Sequence, residues 1–317
     1  MLDFLLLVLG FVALIFGASK LVDAASSLAS RFGVPNIVIG LTIVAFGTSA
    51  PELVVNLYAS LNNSTEMVLG NVLGSNIFNV LGILGIASLI YPLSVKTNTT
   101  WLEIPLSLLA AVAVLVTASD VYLDGSVSNM ISRTDGFILL LFFFIFLVYN
   151  ITLAVGGKNE EETPTHQYTY LKAGIFLVLG LAGLVVGGRL IVDSAVGIAQ
   201  SIGMSERIIG LTIVSIGTSL PELATSVVAV RKRNVDIAIG NVVGSNIFNV
   251  FFILGISTVV TPLSINPNSI SDIFVNIAAS LLLFIFVFTG KGRQVARWEG
   301  GVLLTLYISY TVMLVTQ

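Results

Sequence analysis

The run Gly40-Leu-Thr-Ile-Val-Ala-Phe-Gly-Thr-Ser-Ala-Pro-Glu52 returns almost unchanged as Gly210-Leu-Thr-Ile-Val-Ser-Ile-Gly-Thr-Ser-Leu-Pro-Glu222. A second run, Gly70-Asn-Val-Leu-Gly-Ser-Asn-Ile-Phe-Asn79, returns as Gly240-Asn-Val-Val-Gly-Ser-Asn-Ile-Phe-Asn249. Both recur at the same offset of 170 residues, with no gap between the motifs. Self-similarity at a fixed offset means that the chain is built from two copies of one unit.

What surrounds the motifs is apolar. Of 317 residues, 56% are hydrophobic and only 10% charged, and the mean hydropathy is +1.02. A soluble domain carries roughly 25% charge. Apolar runs of spanning length recur from end to end, leaving no room for a separate soluble domain. A net charge of −3 with scattered basic residues offers no nucleic-acid surface. With no cysteine, the chain has neither disulfides nor thiolate chemistry. The first run follows Met1, Leu2 and Asp3 with no basic segment ahead of it, so it reads as a first span and not as a cleaved signal.

Reading the runs between polar breaks predicts an all-α polytopic membrane protein with ten spans. These are approximately Phe4–Ser30, Pro35–Leu61, Met67–Tyr91, Trp101–Ala118, Asp135–Val155, Tyr170–Ser201, Ser205–Val230, Asp236–Val260, Ile270–Thr289 and Arg297–Val315. Residues 1–155 then form one five-helix repeat, 156–169 a charged linker and 170–317 the second repeat. An odd number of spans per copy makes consecutive copies enter the membrane from opposite sides, the inverted-topology plan of many secondary transporters. Connections on one side hold ten basic residues (Arg31, Lys96, Lys158, Lys172, Arg231, Lys232, Arg233, Lys291, Arg293, Arg297), and those on the other hold Arg133 and Arg207. The positive-inside rule makes the first side cytoplasmic, leaves both termini external and points to the plasma (inner) membrane.

The first motif carries a helix break. Pro51 cannot donate to the carbonyl four residues back, and it pushes Ala50 away from the helical region. Pro221 repeats the device after Gly217, Thr218, Ser219 and Leu220. Unwound carbonyls at membrane depth are tolerated only where they are buried in protein or line a cavity. Glu52 and Glu222 follow these breaks, and intramembrane acids need a cation, another partner or a proton. Two carboxylates with carbonyl and hydroxyl oxygens suit calcium, which takes six to eight oxygens. The single His166 lies in the linker, which disfavours zinc and copper as cargo.

The second motif brings Ser75 and Asn79, and again Ser245 and Asn249, four residues apart on one helix face. Asn71, Asn76, Asn241 and Asn246 add polar groups that serve either as helix glue or as ligands. Asp23 and Asp193 have Lys20 and Arg189 within helical reach on their own spans, which predicts local ion pairs. Glycines at 10 and 17 in the first span, and at 174, 180, 183, 187 and 188 in the sixth, predict smooth faces that slide over the rest without interlocking.

Gly-Thr-Ser-x-Pro-Glu and Gly-Asn-x-x-Gly-Ser-Asn-Ile-x-Asn, each present twice, resemble the α-repeats of the calcium/cation antiporter superfamily, closest to its sodium/calcium exchanger branch. The resemblance covers nearly the whole chain. It implies that Glu52 and Glu222 bind calcium with the backbone carbonyls of Thr48 and Thr218. It further implies that Ala45, Ser49, Ser75, Ser215, Ser219 and Ser245 help form flanking sodium sites, and that Asn79 and Asn249 line the centre. Several relatives, notably potassium-dependent ones, carry an acid where this chain has Asn249; its absence argues against potassium coupling. The function implied is electrogenic exchange of sodium for calcium by alternating access, with calcium, sodium and the lipid bilayer as partners and no cofactor.

Alternatives from other classes remain at this point. A proton/calcium antiporter shares the fold and the acid pair, and a cation channel would need a continuous pore. An intramembrane protease lacks both a histidine base and an H-E-x-x-H motif. A purely structural membrane protein leaves the paired acids unexplained.

Overall fold

The computed structural model describes residues 2–156, 167–201, 215–267, 269–289 and 292–316, and most of them are helical. In chain order the helices are α1 (Leu2–Phe32), α2 (Asn36–Thr48), α3 (Ala50–Leu61), α4 (Thr65–Ile90), α5 (Thr99–Thr117), a short α6 (Asp120–Leu123) and α7 (Arg133–Gly156). There follow α8 (Tyr170–Ser201), a short α9 (Ser215–Thr218), α10 (Leu220–Arg231), α11 (Val235–Val260), α12 (Ser269–Thr289) and α13 (Arg297–Thr316). Among the described residues seven helices are long and apolar enough to cross a membrane, and the bent pair α2–α3 makes eight. The expected span Ser205–Val230 is described only from Ser215 onward, and residues 157–166 of the expected linker, His166 among them, lie outside the described residues.

The distribution of side chains is the reverse of a soluble protein's. Phe4, Val12, Ile15 and Phe16 on α1 and Leu141, Phe144, Ile145 and Ile151 on α7 are exposed, while Asn56, Glu103, Asn241 and Asn276 are fully buried. An apolar skin around a polar interior is the arrangement that lipid favours in a helical bundle. The chain is an integral membrane protein.

Contacts made by one copy recur in the other with the roles exchanged. Just beyond the end of α4, Lys96 pairs with Asp236 at the start of α11, at 2.9 Å. Just beyond the end of α11, Asn266 donates to Glu66 Oε1 at the start of α4, at 3.0 Å. Each of these helices has 26 residues and is about 39 Å long, so its ends lie at opposite faces. The two therefore run antiparallel. At the ends of the bundle, β1 (Leu93–Ser94) pairs with β4 (Gln294–Val295), and β2 (Met130–Ile131) with β3 (Leu263–Ser264). Arg133 Nε donates to the Val259 carbonyl at 3.1 Å, and Arg297 Nη2 to that of Ile90 at 3.2 Å. Gly136 lies against Gly255 and Thr258, as Gly300 lies against Gly85 and Ser88.

The glycine faces of α1 and α8, expected to lie against the rest of the bundle, are turned toward each other. A Cβ on Gly17 would sit 2.8 Å from the Gly180 carbonyl oxygen, and one on Gly10 would sit 2.9 Å from that of Gly187. The two stripes face each other, and the helices pack backbone to backbone as an antiparallel pair, as small residues allow in membranes. Ser27 Oγ adds a tie by accepting from the Tyr168 N–H at 2.9 Å.

The predicted ion pairs divide. Arg189 and Asp193 do pair, at 3.6 Å. Asp23 does not take Lys20; it pairs with Lys232 at 2.8 Å. Lys20 lies over the rings of Phe16 and Phe176 instead. Lys232 wins because its ammonium also donates to the carbonyl and hydroxyl of Ser19, filling its three donor positions at once.

Candidate ion-binding site

Two helix breaks build the site. Pro51 has no N–H for the Gly47 carbonyl, and the chain answers at Ser49, with φ −83° and ψ 5°. There α2 ends and α3 begins, with a bend of 47°. Ser219 repeats the conformation, with φ −91° and ψ 9°, between α9 and α10. The expectation that Ala50 leaves the helical region is thus corrected by one position: Ala50 already belongs to α3, with Pro51 in its first turn. A proline is tolerated there because first-turn N–H groups have no intrahelical partner. The ladder resumes with Leu53 N–H to the Ser49 carbonyl and Leu223 N–H to the Ser219 carbonyl, both at 3.1 Å. Glu52 and Glu222 therefore sit in the first turns of two half-helices, where the helix dipole favours a carboxylate.

The halves interlock through these acids, each of them 1% exposed. Ser49 Oγ donates to Glu222 Oε1 at 3.0 Å, and Ser219 Oγ donates to Glu52 Oε1 at 3.1 Å. Ser75 meets Ser219, Oγ to Oγ, at 3.1 Å, and Ser245 Oγ reaches Glu222 Oε1 at 3.5 Å. Thr48 Oγ1 donates to Asn241 Oδ1 at 3.0 Å, and Thr218 Oγ1 meets Asn71 Oδ1 at 3.5 Å. The structure thus gathers Glu222, Thr48, Ser49 and Ser245 about one acid, through Asn241 in the case of Thr48, and Glu52, Ser219 and Ser75 about the other, with Thr218 against Asn71.

The second motif supplies a ring of amides from α4 and α11. Asn79 Nδ2 donates to Asn246 Oδ1 at 2.9 Å, and Asn249 Nδ2 to Asn76 Oδ1 at 3.0 Å. Asn76 and Asn246 also donate to each other's backbone carbonyls, at 3.4 and 3.3 Å. Their role here is glue, and it has a consequence. By holding the nitrogens of Asn79 and Asn249, they leave the Oδ1 atoms of those residues buried with no hydrogen-bond partner. Glu52 Oε2 and Glu222 Oε2 share that condition. Both Asn79 and Asn249 lie in π-helical stretches, Phe78–Leu84 and Phe248–Leu254, local widenings that are frequent at functional sites.

Two expected residues fit less simply. The Ala45 carbonyl already accepts the Ser49 N–H at 2.9 Å, and the Thr48 hydroxyl, whose one proton goes either to it at 3.3 Å or to Asn241 Oδ1 at 3.0 Å, lies against it. Ser215 begins α9, and its side chain lies outside the described residues. Asn241, by contrast, does more than its sequence position suggested. Its Nδ2 donates to the Glu222 carbonyl at 3.2 Å and to Ser226 Oγ at 3.0 Å, so one side chain joins Thr48 of one copy to Glu222 of the other. The corresponding Asn71 donates to Asn56 Oδ1 at 2.9 Å. The motif placed both amides, but Ser226 and Asn56 lie outside it and carried no signal.

A buried carboxylate oxygen without a partner costs several kcal/mol unless a positive charge offsets it. Among the described residues no group of three or more His, Cys, Asp or Glu side chains could hold a metal ion. An oxygen-only site between two broken helices defines a secondary transporter for a hard cation.

The comparisons agree. A family model described as sodium/calcium exchanger protein matches residues 2–152 and 172–316, and the chain belongs to that family, whose members are cation/calcium antiporters and not enzymes. It is 37% identical to the inner membrane protein YrbG of Escherichia coli over 98% of this chain and 95% of that one. It is 35% identical to the sodium/calcium exchanger MaX1 of Methanosarcina acetivorans over 98% of each. A solved structure of the sodium-calcium exchanger NCX_Mj superposes with a TM-score of 0.82 at 32% identity, covering 97% of both chains.

Proposed function

We propose that this chain exchanges sodium for calcium by alternating access, through ten spans arranged as two inverted five-helix repeats, 1–155 and 170–317, joined by a linker at 156–169. Glu52 and Glu222 take calcium with the backbone carbonyls of Thr48 and Thr218. Asn79 and Asn249 line the centre, and sodium occupies flanking positions near Ala45, Ser49, Ser75, Ser215, Ser219 and Ser245. The observation that carries the proposal is the set of four buried oxygens of the two repeated motifs, two from carboxylates and two from amides, left without protein partners, the two acids among them each held by a serine of the other copy. A cation supplies what they lack.

The orientation has the Lys232 face in the cytoplasm and both termini outside, in the plasma (inner) membrane. The excess of basic residues on that face supports this, and one relative is named an inner membrane protein. Calcium-45 uptake into proteoliposomes, driven in turn by a sodium and a proton gradient, tests the coupling ion. Uptake under the sodium gradient alone is expected. Uptake under the proton gradient alone would replace this reading with proton/calcium antiport.

A further inference from the structure

We infer that Lys232 and Asp23 form a one-sided latch that holds the face bearing them closed. Lys232, at the end of α10, reaches across to α1, where its ammonium contacts Asp23 Oδ1 at 2.8 Å, the Ser19 carbonyl at 3.0 Å and Ser19 Oγ at 2.8 Å. Beside it, Asn234 Nδ2 donates to Ser26 Oγ at 2.7 Å. The pair is sheltered, with side chains 25% and 6% exposed. Because α1 and α8 are interlocked through their glycines, this attachment ties the whole α1–α8 pair to the broken helix of the second copy.

The other face has no such tie between the corresponding residues. The repeat offset carries Lys232 onto Asn62 and Asp23 onto Asp193. Asn62 is exposed and donates only within its own helix, to the Tyr58 carbonyl at 2.8 Å. Asp193 is 67% exposed and pairs with Arg189 on its own helix. At these positions the two copies thus differ in a cross-helix charge pair, Lys232 with Asp23, that Asn62 and Asp193 do not make. The inference rests on the alternating-access reading: if α1 and α8 move against α3 and α10, the latch favours the state closed on the Lys232 face and open on the Asn62 face.

The chain has no cysteine, so introduced thiols report cleanly. Ala59 and Ala229 are counterparts in the repeat, both buried, near the ends of α3 and α10. Ala59→Cys and Ala229→Cys proteins are labelled in detergent with a water-soluble maleimide, in sodium and in calcium. Lys232→Gln is expected to speed labelling at position 229 about fivefold and to slow it at position 59, the scale of one partly buried ion pair. Asn62→Lys, at an exposed position, offers Asp193 a cation from across the helices and shifts both rates in the same directions. The swap of Asp23→Lys with Lys232→Asp returns them toward the starting values. Rates unmoved by Lys232→Gln and by Asn62→Lys, in protein whose labelling still responds to the ion supplied, overturn the latch and leave exchange standing. Labelling that ignores the ion even with Lys232 and Asn62 intact overturns alternating access, and the latch with it.

Discussion

Ser49 and Glu222 lie 173 residues apart in the chain, and Ser49 Oγ donates to Glu222 Oε1 at 3.0 Å. The exchanged pair, Ser219 with Glu52, closes at 3.1 Å. Each acid is thus oriented by the helix break of the other copy. The shortest bond to each carboxylate comes from the other copy. Removing one hydroxyl by Ser49→Ala or Ser219→Ala leaves a carboxylate oxygen short of a charge-assisted donor, a loss of about 1.5–3 kcal/mol. Both substitutions are expected to weaken apparent ion affinity by roughly tenfold or more, measured as the half-saturating calcium concentration for uptake.

Glu52→Gln and Glu222→Gln are expected to abolish calcium transport while the protein still folds. Each removes half of the site's formal charge and replaces an oxygen with an amide nitrogen. Calcium-45 flux measured beside a folding check by size-exclusion chromatography decides this. Flux at the unsubstituted rate in either variant would remove the central site from the mechanism.

The glycine pairs between α1 and α8 give a matched contrast. A side chain at Gly17 meets the Gly180 carbonyl and the Leu184 nitrogen at 2.8 Å, whereas one at Gly174 meets nothing within 4 Å. Gly17→Leu should cost about 1–3 kcal/mol through overpacking and lower the midpoint of thermal unfolding in detergent. Gly174→Ala should leave that midpoint unchanged.

What the sequence made legible was whatever repeats locally. The motifs placed both broken helices, both acids and the Asn79 and Asn249 positions, because proline, glycine and a buried charge act within a turn or two of where they stand. What it hid was long-range pairing. Lys20 is near Asp23 in sequence, yet Lys232 takes it, and no local rule looks across two hundred residues. Asn76 and Asn246 were equally ambiguous, since only the opposed helix reveals that their amides are spent on each other. The repeat also changes step late in the chain. Asp135 and Glu299 stand 164 apart, not 170, and each caps its own helix by accepting a backbone N–H, from Ser132 and Ala296. The Arg-x-acid-Gly pattern of 133–136 and 297–300 marks that equivalence, and the contacts make it plain.

Neutral Asn79 and Asn249 leave Glu52 and Glu222 as the charges of the proposed site, so one calcium ion makes it neutral and three sodium ions would make it positive by one. The sodium-loaded step should then feel the membrane potential, by at most about 2.3 kcal/mol per charge per 100 mV. In right-side-out vesicles with a potassium diffusion potential, inside-negative voltage is expected to favour sodium entry and calcium exit. Exchange indifferent to voltage would mean two sodium ions or two protons per calcium.

The glycine contacts have a further consequence for how such a chain arose. Gly10 corresponds to Gly180 and Gly17 to Gly187 in the repeat, yet the contacts run Gly10 to Gly187 and Gly17 to Gly180. That exchange is the signature of an isologous interface, the same patch meeting itself across a two-fold axis. One half therefore carries a surface complementary to a second copy of itself turned about that axis. The covalent join fixes a stoichiometry that a homodimer of halves would reach by association. It also frees the two copies to diverge, as Lys232 and Asn62 have.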